Sequence, residues 1–455
     1  MAAVRFGTDG IRGVAGVSLT TETAYALGVA LATCYPNGKI LVGRDTRPSG
    51  PELCAALAAG ARSGGATAIN IGVIPTPGLA TVVATDASVA CGVAVTASHN
   101  PVEYNGLKVI GRDGRKIPDA IERELEQEIE KSLAASNPGT RLEVVTHEDL
   151  QGATYAARYA AHLASIAATV TPGRSAAGMR VVLDASNGAG APFAEAAISA
   201  TGATVYGMAM GDGVINDAVG ATAPLALGRR VVELGASLGI ALDGDADRCA
   251  VVDEHGRLVD GDVVIGLIAL DRKRRNLPGS GQVVATILTN SGIERQLRDA
   301  GIALKRTPVG DRHIAEELSI GRPGFGGEKS GHLLFPEHAP TGDGLISAIE
   351  MIALVSGSGG PVSALAASLP LDPQMQREIE VREGEAEWLL SATRMIKAIH
   401  GGEQRLAASG GRLVVRASGT EPLVRVMGEG PDEALVRAVV EAILTEGRVL
   451  LAEHR

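Results

Sequence analysis

The feature that most constrains the fold is a pattern that occurs three times along the chain. It first appears at 40–73 and recurs from Val181 and from Val283. Each copy has an apolar run, a polar turn, an Ala/Leu-rich helical stretch, a glycine and a second apolar run. Such a unit predicts two parallel strands joined by a helix that covers the sheet. We therefore predict an α/β fold with three related α/β domains, whose sheets are mixed but mainly parallel.

The last part of the chain has a different pattern. After Pro373, apolar and polar residues alternate around 413–427, and a helical stretch follows at 433–444. This pattern predicts a smaller C-terminal α+β domain. A charged amphipathic helix is predicted at 119–135, where it would close the core of the first domain. The four predicted domains are 1–150, 151–257, 258–370 and 371–455.

Composition excludes several classes of protein. The formal net charge of −10 argues against binding to the nucleic-acid backbone. No apolar run reaches the ~18 residues that a membrane span needs, and the N-terminal stretch has no signal-peptide pattern. The four cysteines are scattered and form no CxxC pair, which is typical of reduced core thiols. We expect a cytoplasmic protein with no nucleic-acid partner and no membrane association.

The stretch DGDADR places three aspartates at alternate positions between two apolar runs: Asp243, Asp245 and Asp247. Carboxylates this close repel one another unless a cation is present, and Mg²⁺ prefers oxygen ligands. An EF-hand loop is rejected because Arg248 stands where that loop needs glycine, although Glu254 falls at its twelfth position. The alternative is a solvated acidic turn. We predict a metal site.

A second motif, RASGTEPLVRV, suits a phosphate group. Hydroxyls, glycine-permitted backbone N–H groups and two guanidiniums lie together on a predicted turn between two strands. The residues concerned are Arg416, Ser418, Gly419, Thr420 and Arg425. A plain hairpin with surface charge is an equal alternative for this motif.

Further polar motifs offer candidates for sugar binding and proton transfer. GFGGEKSGH brings Glu328, Ser330 and His332 onto a glycine-rich loop that could approach sugar hydroxyls closely. FGTDGIRG supplies Arg12 as an anion-facing cation, and YNGLK supplies Lys108. Each of these motifs could equally be a surface turn.

The stretch TASHNP ends an apolar, strand-like run at Ser98 and His99. Thr, Ser, Asn and Pro are typical loop residues, so the stretch predicts either an ordinary loop or a hydroxyl presented at a site. A Ser-His hydrolase is excluded because no GxSxG elbow surrounds Ser98. Adjacent side chains also do not form a catalytic triad.

Taken together and in this order, TASHNP, DGDADR, GGEKSGH and RASGTEP resemble the α-D-phosphohexomutase superfamily over the whole chain. The resemblance is closest to members that act on glucosamine phosphates, through motifs at 6–13, 105–108, 214–224, 307–313 and 418–427. Two departures concern the sugar. Val219 and Ala223-Pro224-Leu225 stand where those members usually have Cys and His-Pro-Glu, and Lys329 stands where Gln is frequent.

The resemblance implies a role for each candidate. Ser98 would carry a phosphoryl group, and one Mg²⁺ per subunit would be held by Ser98 together with the three aspartates. Lys108 would be the general base, with a pKa that we expect to be depressed by cations such as Arg12. The supporting polar shell would be Arg12, His99, Arg248 and His332. Substrate would be bound by Glu328, Ser330, His332, Arg416, Ser418, Gly419, Thr420 and Arg425.

The resemblance also implies a reaction. Glucosamine 6-phosphate and glucosamine 1-phosphate would interconvert through glucosamine 1,6-bisphosphate, which would also act as activator, and the product would feed cell-wall precursor synthesis. The same chemistry on glucose or mannose phosphates is the alternative, and a non-catalytic sugar-phosphate sensor is a remote one. Motifs from four domains imply a central cleft, a mobile C-terminal domain and water exclusion. A homodimer is a further expectation.

Overall fold

The computed structural model describes residues 4–7, 9–135, 151–320, 324–418 and 422–454. The described residues build four successive units, each around its own sheet. Three units are mixed α/β, and the fourth is a smaller antiparallel sheet with helices. The predicted fold class is therefore confirmed. The predicted boundary after residue 150 adjoins 136–150, which lie outside the described residues, and it stays a prediction.

The first unit has a five-stranded sheet in the order β1-β5-β4-β2-β3. Strands β2, β3 and β4 are parallel, whereas β5 and β1 are antiparallel to their neighbours. Its elements are β1 (Ile11–Val14), α1 (Thr21–Cys34), β2 (Lys39–Arg44), α2 (Gly50–Ser63), β3 (Thr67–Val73), α3 (Thr76–Thr85), β4 (Val89–Val95), β5 (Tyr104–Gly111) and α4 (Asp119–Ala135). Helix α4 has the predicted bounds.

The second unit repeats this plan with the sheet order β10-β9-β8-β6-β7. Strands β6, β7 and β8 are parallel, and β9 turns back antiparallel to β8. Its elements are α5 (Gly152–Val170), β6 (Arg180–Asp184), α6 (Ala191–Ser199), β7 (Thr204–Met208), α7 (Leu225–Leu234), β8 (Leu238–Leu242), β9 (Cys249–Val252) and β10 (Leu258–Val259).

The third unit has a four-stranded sheet in the order β12-β11-β13-β14, in which only β14 is antiparallel. Its elements are α8 (Gly261–Arg274), β11 (Gln282–Thr286), α9 (Ser291–Asp299), β12 (Ala303–Thr307), α10 (Asp311–Ile320), β13 (Phe325–Gly327), β14 (Leu333–Leu334), α11 (Gly344–Ser358) and α12 (Val362–Ala367).

The fourth unit is an antiparallel sheet in the order β15-β17-β16. Its elements are β15 (Gln374–Glu380), α13 (Glu385–Ser391), α14 (Thr393–Ala407), β16 (Arg412–Ala417), β17 (Leu423–Glu429) and α15 (Glu433–His454). Helix α15 extends ten residues beyond the predicted stretch at 433–444. Within the part of the chain described here, no helix combines the length and the apolar character needed to cross a bilayer.

One continuous apolar core joins the first three units, and the fourth unit has a core of its own. Helix α5 is central to the shared core. Its Tyr159 is fully buried, packs edge-on against Phe193 at 5.2 Å and donates a 2.8 Å hydrogen bond to Asp343 at the start of α11. The first three units therefore form a single packed body, because they share buried side chains rather than only touching at their surfaces.

Helices α1 and α2 approach each other at glycines. A Cβ added at Gly28 would overlap the Leu57 carbonyl oxygen, and one added at Gly60 would overlap the Tyr25 carbonyl oxygen. Gly401 in α14 differs, because a Cβ there would meet nothing within 4 Å. The same substitution thus has opposite expected effects at the two kinds of site.

We expect Gly28→Ala to destabilise the protein by about 1–3 kcal/mol, because the methyl group must push two helix backbones apart. Gly401→Ala should stabilise it by up to about 1 kcal/mol, because alanine favours an open helical position. Melting temperatures of the two variants, measured beside that of the unsubstituted protein, check this. A shift in the same direction for both would contradict the described helix contact.

Candidate functional site

Loops from the first three units meet at one buried point. The loop after β4 carries Ser98, and the loop after β8 carries the three aspartates. The Ser98 side chain is buried, and its Oγ donates a 2.7 Å hydrogen bond to Asp243 Oδ2. His99 Nδ1 lies 3.3 Å from Ser98 Oγ. Ser98 is thus a hydroxyl held against an acidic loop.

The acidic loop concentrates negative charge at buried positions. Asp243, Asp245 and Asp247 are all buried, and their nearest carboxylate oxygens lie within 4.8 Å of one another. Thr76 at the start of α3 donates a 2.7 Å hydrogen bond to Asp245 Oδ2, and the Arg248 N–H donates to Asp243 Oδ1 at 3.1 Å.

This donor set fits a divalent cation. The Oδ1 atoms of Asp245 and Asp247 are buried and have no hydrogen-bond partner within the described parts of the chain. Burial and the neighbouring carboxylates of Asp247 and Asp245 raise the pKa of Asp243 well above its usual range. A hard cation would satisfy the orphan oxygens and relieve the repulsion.

Lys108 lies on β5 and points at the same carboxylates. Its Nζ is 2.9 Å from Asp9 Oδ1, 3.5 Å from Asp245 Oδ2 and 3.7 Å from Asp247 Oδ2. Burial lowers the pKa of Lys108, but the three carboxylates outweigh burial and raise that pKa above its usual range. The expected depressed pKa is therefore wrong. Arg12 is close, as predicted, but it is itself paired with Asp9.

Two further cations face the acidic loop. Arg248 Nε lies 3.8 Å from Asp247 Oδ1, and His332 Nδ1 lies 3.6 Å from the same atom. Burial lowers the pKa of His332, but the Asp247 carboxylate raises it to about 9. The Cys249 N–H also donates a 3.0 Å hydrogen bond to the Gly331 carbonyl. This hydrogen bond connects the acidic loop of the second unit to the loop of the third unit that carries Glu328, Ser330 and His332, called the sugar loop below.

Local contacts set the directions of two side chains on the sugar loop, those of Glu328 and Lys329. Glu328 Oε1 accepts a 3.0 Å hydrogen bond from the Gly310 N–H, and its Oε2 has no hydrogen-bond partner among the described residues. Ser330 is exposed. Lys329 Nζ lies 2.9 Å from Asp260 Oδ2, so this side chain points toward the start of α8. One oxygen of Glu328 therefore stays available to a hydroxyl group.

The fourth unit presents two guanidiniums side by side. Arg416 on β16 is paired in register with Arg425 on β17. Burial and the charge of Arg425 lower the pKa of Arg416. Like charges directly opposite each other on neighbouring strands are unfavourable, and a carboxylate oxygen of Glu378 on β15 lies 3.4 Å from Arg425 Nε. Ser418 follows at the end of β16, while Gly419 and Thr420 lie outside the described residues.

Most of the predicted residues thus fall into two groups, and Glu328 and Ser330 lie on the sugar loop outside both. Direct contacts, some through Asp9, connect Ser98, His99, Lys108, Arg12, Arg248, His332 and the three aspartates. Between those residues and Arg416, Ser418 or Arg425, the described residues show no direct contact. Sequence reasoning missed Asp9 and Thr76. Asp9 lies within the quoted FGTDGIRG motif, whereas Thr76 carries no sequence signal beyond a Thr-Pro turn.

Family models match almost the whole chain in four consecutive parts. Their descriptions are phosphoglucomutase/phosphomannomutase alpha/beta/alpha domain I at 3–136, domain II at 157–256, domain III at 260–371 and C-terminal domain at 378–446. The matched parts correspond in order to the four units of the structure.

Individual relatives are similar over their full length. Phosphoglucosamine mutase from Moorella thermoacetica is 42% identical over 435 residues, covering 94% of this chain and 95% of the relative. Phosphoglucosamine mutase from Heliobacterium modesticaldum is 40% identical over 453 residues, covering 96% and 98%. Among solved structures, a phosphoglucomutase/phosphomannomutase family protein from Burkholderia thailandensis matches with a TM-score of 0.79 and 25% identity, covering 99% and 98%.

We expect a divalent cation to raise the melting temperature of the protein by a few degrees, because a ligand at 100 times its dissociation constant adds about 2.7 kcal/mol. Asp245→Asn should abolish most of this rise, since it removes a carboxylate from the cluster. Asp217→Asn, at an exposed position of the same unit, is the matched control. Thermal denaturation with and without Mg²⁺ or Mn²⁺ checks this. An equal rise in both variants would contradict a cation site at the acidic loop.

Proposed function

The chain belongs to the phosphoglucomutase/phosphomannomutase family, and from that premise we propose that it interconverts glucosamine 6-phosphate and glucosamine 1-phosphate. The observation that carries the proposal is the 2.7 Å hydrogen bond from Ser98 Oγ to Asp243 in the buried acidic loop. A phosphoryl carrier needs such a place, where charge on the phosphoryl group can be neutralised away from water. The choice of glucosamine phosphates as substrates is supported by relatives named phosphoglucosamine mutase that are about 40% identical to this chain.

In the proposed cycle, Ser98 carries the phosphoryl group. The bond from phosphorus to Ser98 Oγ breaks as a bond forms to the free hydroxyl oxygen of the sugar monophosphate; that hydroxyl loses its proton, and Ser98 Oγ gains one. The product, glucosamine 1,6-bisphosphate, turns end for end. Its other phosphoryl group then returns to Ser98 Oγ, which loses its proton, and the sugar oxygen that is freed gains one. The same bisphosphate would phosphorylate Ser98 in enzyme that has lost its phosphoryl group.

The acidic loop is the proposed Mg²⁺ site. Asp243, Asp245 and Asp247 would supply carboxylate oxygens, and Ser98 would complete the set through its phosphoryl group. Bound there, Mg²⁺ supplies positive charge beside the phosphoryl oxygens. The chain itself orients the loop, because Thr76 fixes Asp245 and the Arg248 N–H fixes Asp243.

Lys108 is the proposed proton-transfer residue. Its contacts with Asp9, Asp245 and Asp247 favour the protonated ammonium group. That form suits the return of the phosphoryl group to Ser98, in which the freed sugar oxygen needs a proton. In the other half-reaction Lys108 would have to accept the proton of the attacking hydroxyl, which only its neutral amine form can do. Arg12, His99 and Arg248 surround this point as supporting polar groups.

We propose that substrate is bound by the sugar loop of the third unit and by the loop between β16 and β17 of the fourth. Arg416 and Arg425 form a pair of adjacent cations whose repulsion a phosphate dianion would relieve. Ser418 lies beside them, and Gly419 and Thr420 complete the motif. Glu328, Ser330 and His332 would bind the ring hydroxyls, with the unpartnered Oε2 of Glu328 accepting from the sugar. A cytoplasmic homodimer is part of the same proposal.

A second candidate substrate pair is supported by the sequence departures at Val219 and 223–225. Glucose or mannose phosphates would follow the same chemistry at Ser98, since the sugars differ by one or two hydrogen bonds. The assay below therefore offers all three sugars.

We expect purified protein with Mg²⁺ and catalytic glucose 1,6-bisphosphate to turn over glucosamine 6-phosphate faster than glucose 1-phosphate or mannose 1-phosphate. Ser98→Ala should lower the rate by more than about 10³-fold, because no phosphoryl carrier remains. Ser186→Ala is the matched control, since Ser186 is also buried and has a φ of 51°, and its hydroxyl has no hydrogen-bond partner in the described parts of the chain. Coupled assays of the three proteins measure this. Full activity in Ser98→Ala would contradict the mechanism.

The sugar loop provides a separate comparison. Glu328→Gln should lower kcat/KM by about 10²-fold or more, because it weakens an acceptor aimed at the substrate. Lys329→Gln should change kcat/KM by less than about threefold, since its half-exposed ion pair with Asp260 contributes little. Steady-state kinetics on both variants decide this. A large loss in Lys329→Gln would show that Lys329 contacts the substrate.

A further inference from the structure

Ser98 has an unusual backbone conformation for a residue with a side chain. Its φ is 51°, in the left-handed region that residues other than glycine rarely adopt. This conformation persists only if the surroundings impose it, because the residue would otherwise relax to a right-handed or extended form. The position of Oγ beside Asp243 depends on it, since rotation about the backbone would carry the side chain away.

A buried arginine, Arg47, binds the main chain of the loop that carries Ser98. Arg47 is fully buried, and among the described residues its guanidinium donates to Asp45 and to main-chain oxygens within 98–104. Nη2 donates to the Ser98 carbonyl at 3.0 Å and to the Asn100 carbonyl at 2.7 Å. Nη1 donates to the Tyr104 carbonyl at 2.9 Å and also to that of Pro101.

The same arginine is connected to the N–H of Ser98 through two intermediate side chains, Asp45 and Thr96. Arg47 Nε donates a 3.0 Å hydrogen bond to Asp45 Oδ2, which also accepts a 2.6 Å hydrogen bond from Thr96 Oγ1. Thr96 Oγ1 in turn accepts a 2.9 Å hydrogen bond from the Ser98 N–H. Both peptide groups that flank Ser98 are therefore fixed to a single buried ion pair.

The second unit supplies an independent donor from the opposite side. Asn216 Nδ2 donates to the Ser98 carbonyl at 2.8 Å and to the Asn100 carbonyl at 3.0 Å. These are the two oxygens that Arg47 Nη2 also binds. A Cβ at Gly244 in the acidic loop would lie 2.5 Å from the Ser98 carbonyl oxygen and 2.9 Å from Asn216 Nδ2. The acidic loop, Asn216 and Ser98 are thus packed directly together.

We propose that Arg47 and Asn216 are positioning residues that together hold Ser98 in its left-handed conformation and keep Oγ aimed at the acidic loop. The inference rests on the proposed function, because it concerns Ser98 as the phosphoryl carrier. Neither residue contacts the side chains proposed to bind substrate among the described residues. Their loss should therefore lower kcat while leaving KM for the sugar phosphate nearly unchanged.

Asn216 is the better residue to test, because it is only half-buried. Removing Arg47, by contrast, would leave the buried carboxylate of Asp45 without its cation. Asn216 itself has a φ of 60°, and asparagine tolerates that conformation well. Asn216→Asp keeps the size and much of that tolerance but replaces the Nδ2 donor by an oxygen. Asn216→Ala removes the donor without adding charge. Asn37→Asp is the matched control, at an exposed position with a φ of 57° far from the site.

The experiment measures kcat and KM for glucosamine 6-phosphate, the melting temperature, and the phosphorylated fraction of Ser98 by intact mass after incubation with glucose 1,6-bisphosphate. We expect Asn216→Asp and Asn216→Ala to lower kcat about 10- to 100-fold, as a misplacement of about 1 Å does. The phosphorylated fraction should fall as well. KM should change by less than about threefold, and Asn37→Asp should match the unsubstituted protein.

Several results would overturn the inference. Unchanged kcat in Asn216→Asp and Asn216→Ala would show that the amide donor is not needed. A raised KM with unchanged kcat would assign Asn216 to substrate contact, and a fall in kcat that only follows the loss of folded protein would assign it to stability. Turnover by the unsubstituted protein in those cases leaves the proposed function standing. No turnover by the unsubstituted protein, with Ser98 phosphorylated, would overturn both.

Discussion

The mutual repulsion of three buried carboxylates is the constraint on which the rest of this site depends. Asp243, Asp245 and Asp247 lie closer together than buried anions can remain without compensation. Positively charged side chains around the cluster provide this compensation. Lys108 comes from the first unit, Arg248 from the second and His332 from the third. One cluster of negative charge therefore requires cations from three sheets, and the requirement fixes where those sheets meet.

Much of the site could be predicted from sequence because its chemical groups lie in short local motifs. The acidic triad and the TASHNP, GGEKSGH and SGTEP stretches are local, because each places its chemistry within a few residues at a strand end. Helix α4 was predictable for the same reason, since the amphipathic pattern at 119–135 lies within one element. Three βαβ patterns likewise indicated the parallel strands of the first three sheets, because each such unit joins its two strands through one local connection.

What could not be predicted depends on contacts between distant parts of the chain. The raised pKa of Lys108 is due largely to Asp9, which reaches it because β1 pairs with β5. A sequence shows that Arg12 can be near Lys108, but not that Asp9 neutralises Arg12 and attracts the ammonium group. Thr76 and Asn216 are similar cases. Their hydrogen bonds cross from one unit to another, and no local pattern marks them.

The separate core of the fourth unit has a consequence for how such enzymes diversify. Its attachment to the third unit includes polar groups, among them the buried Glu429, which accepts hydrogen bonds from the Ser291 N–H and from Arg412. Apolar side chains of the first three units, by contrast, interlock in one core. Recombination between related genes could therefore exchange the C-terminal part as a module with its own hydrophobic interior. The catalytic body would be inherited as a block, because a crossover within it would pair side chains that never evolved to pack together.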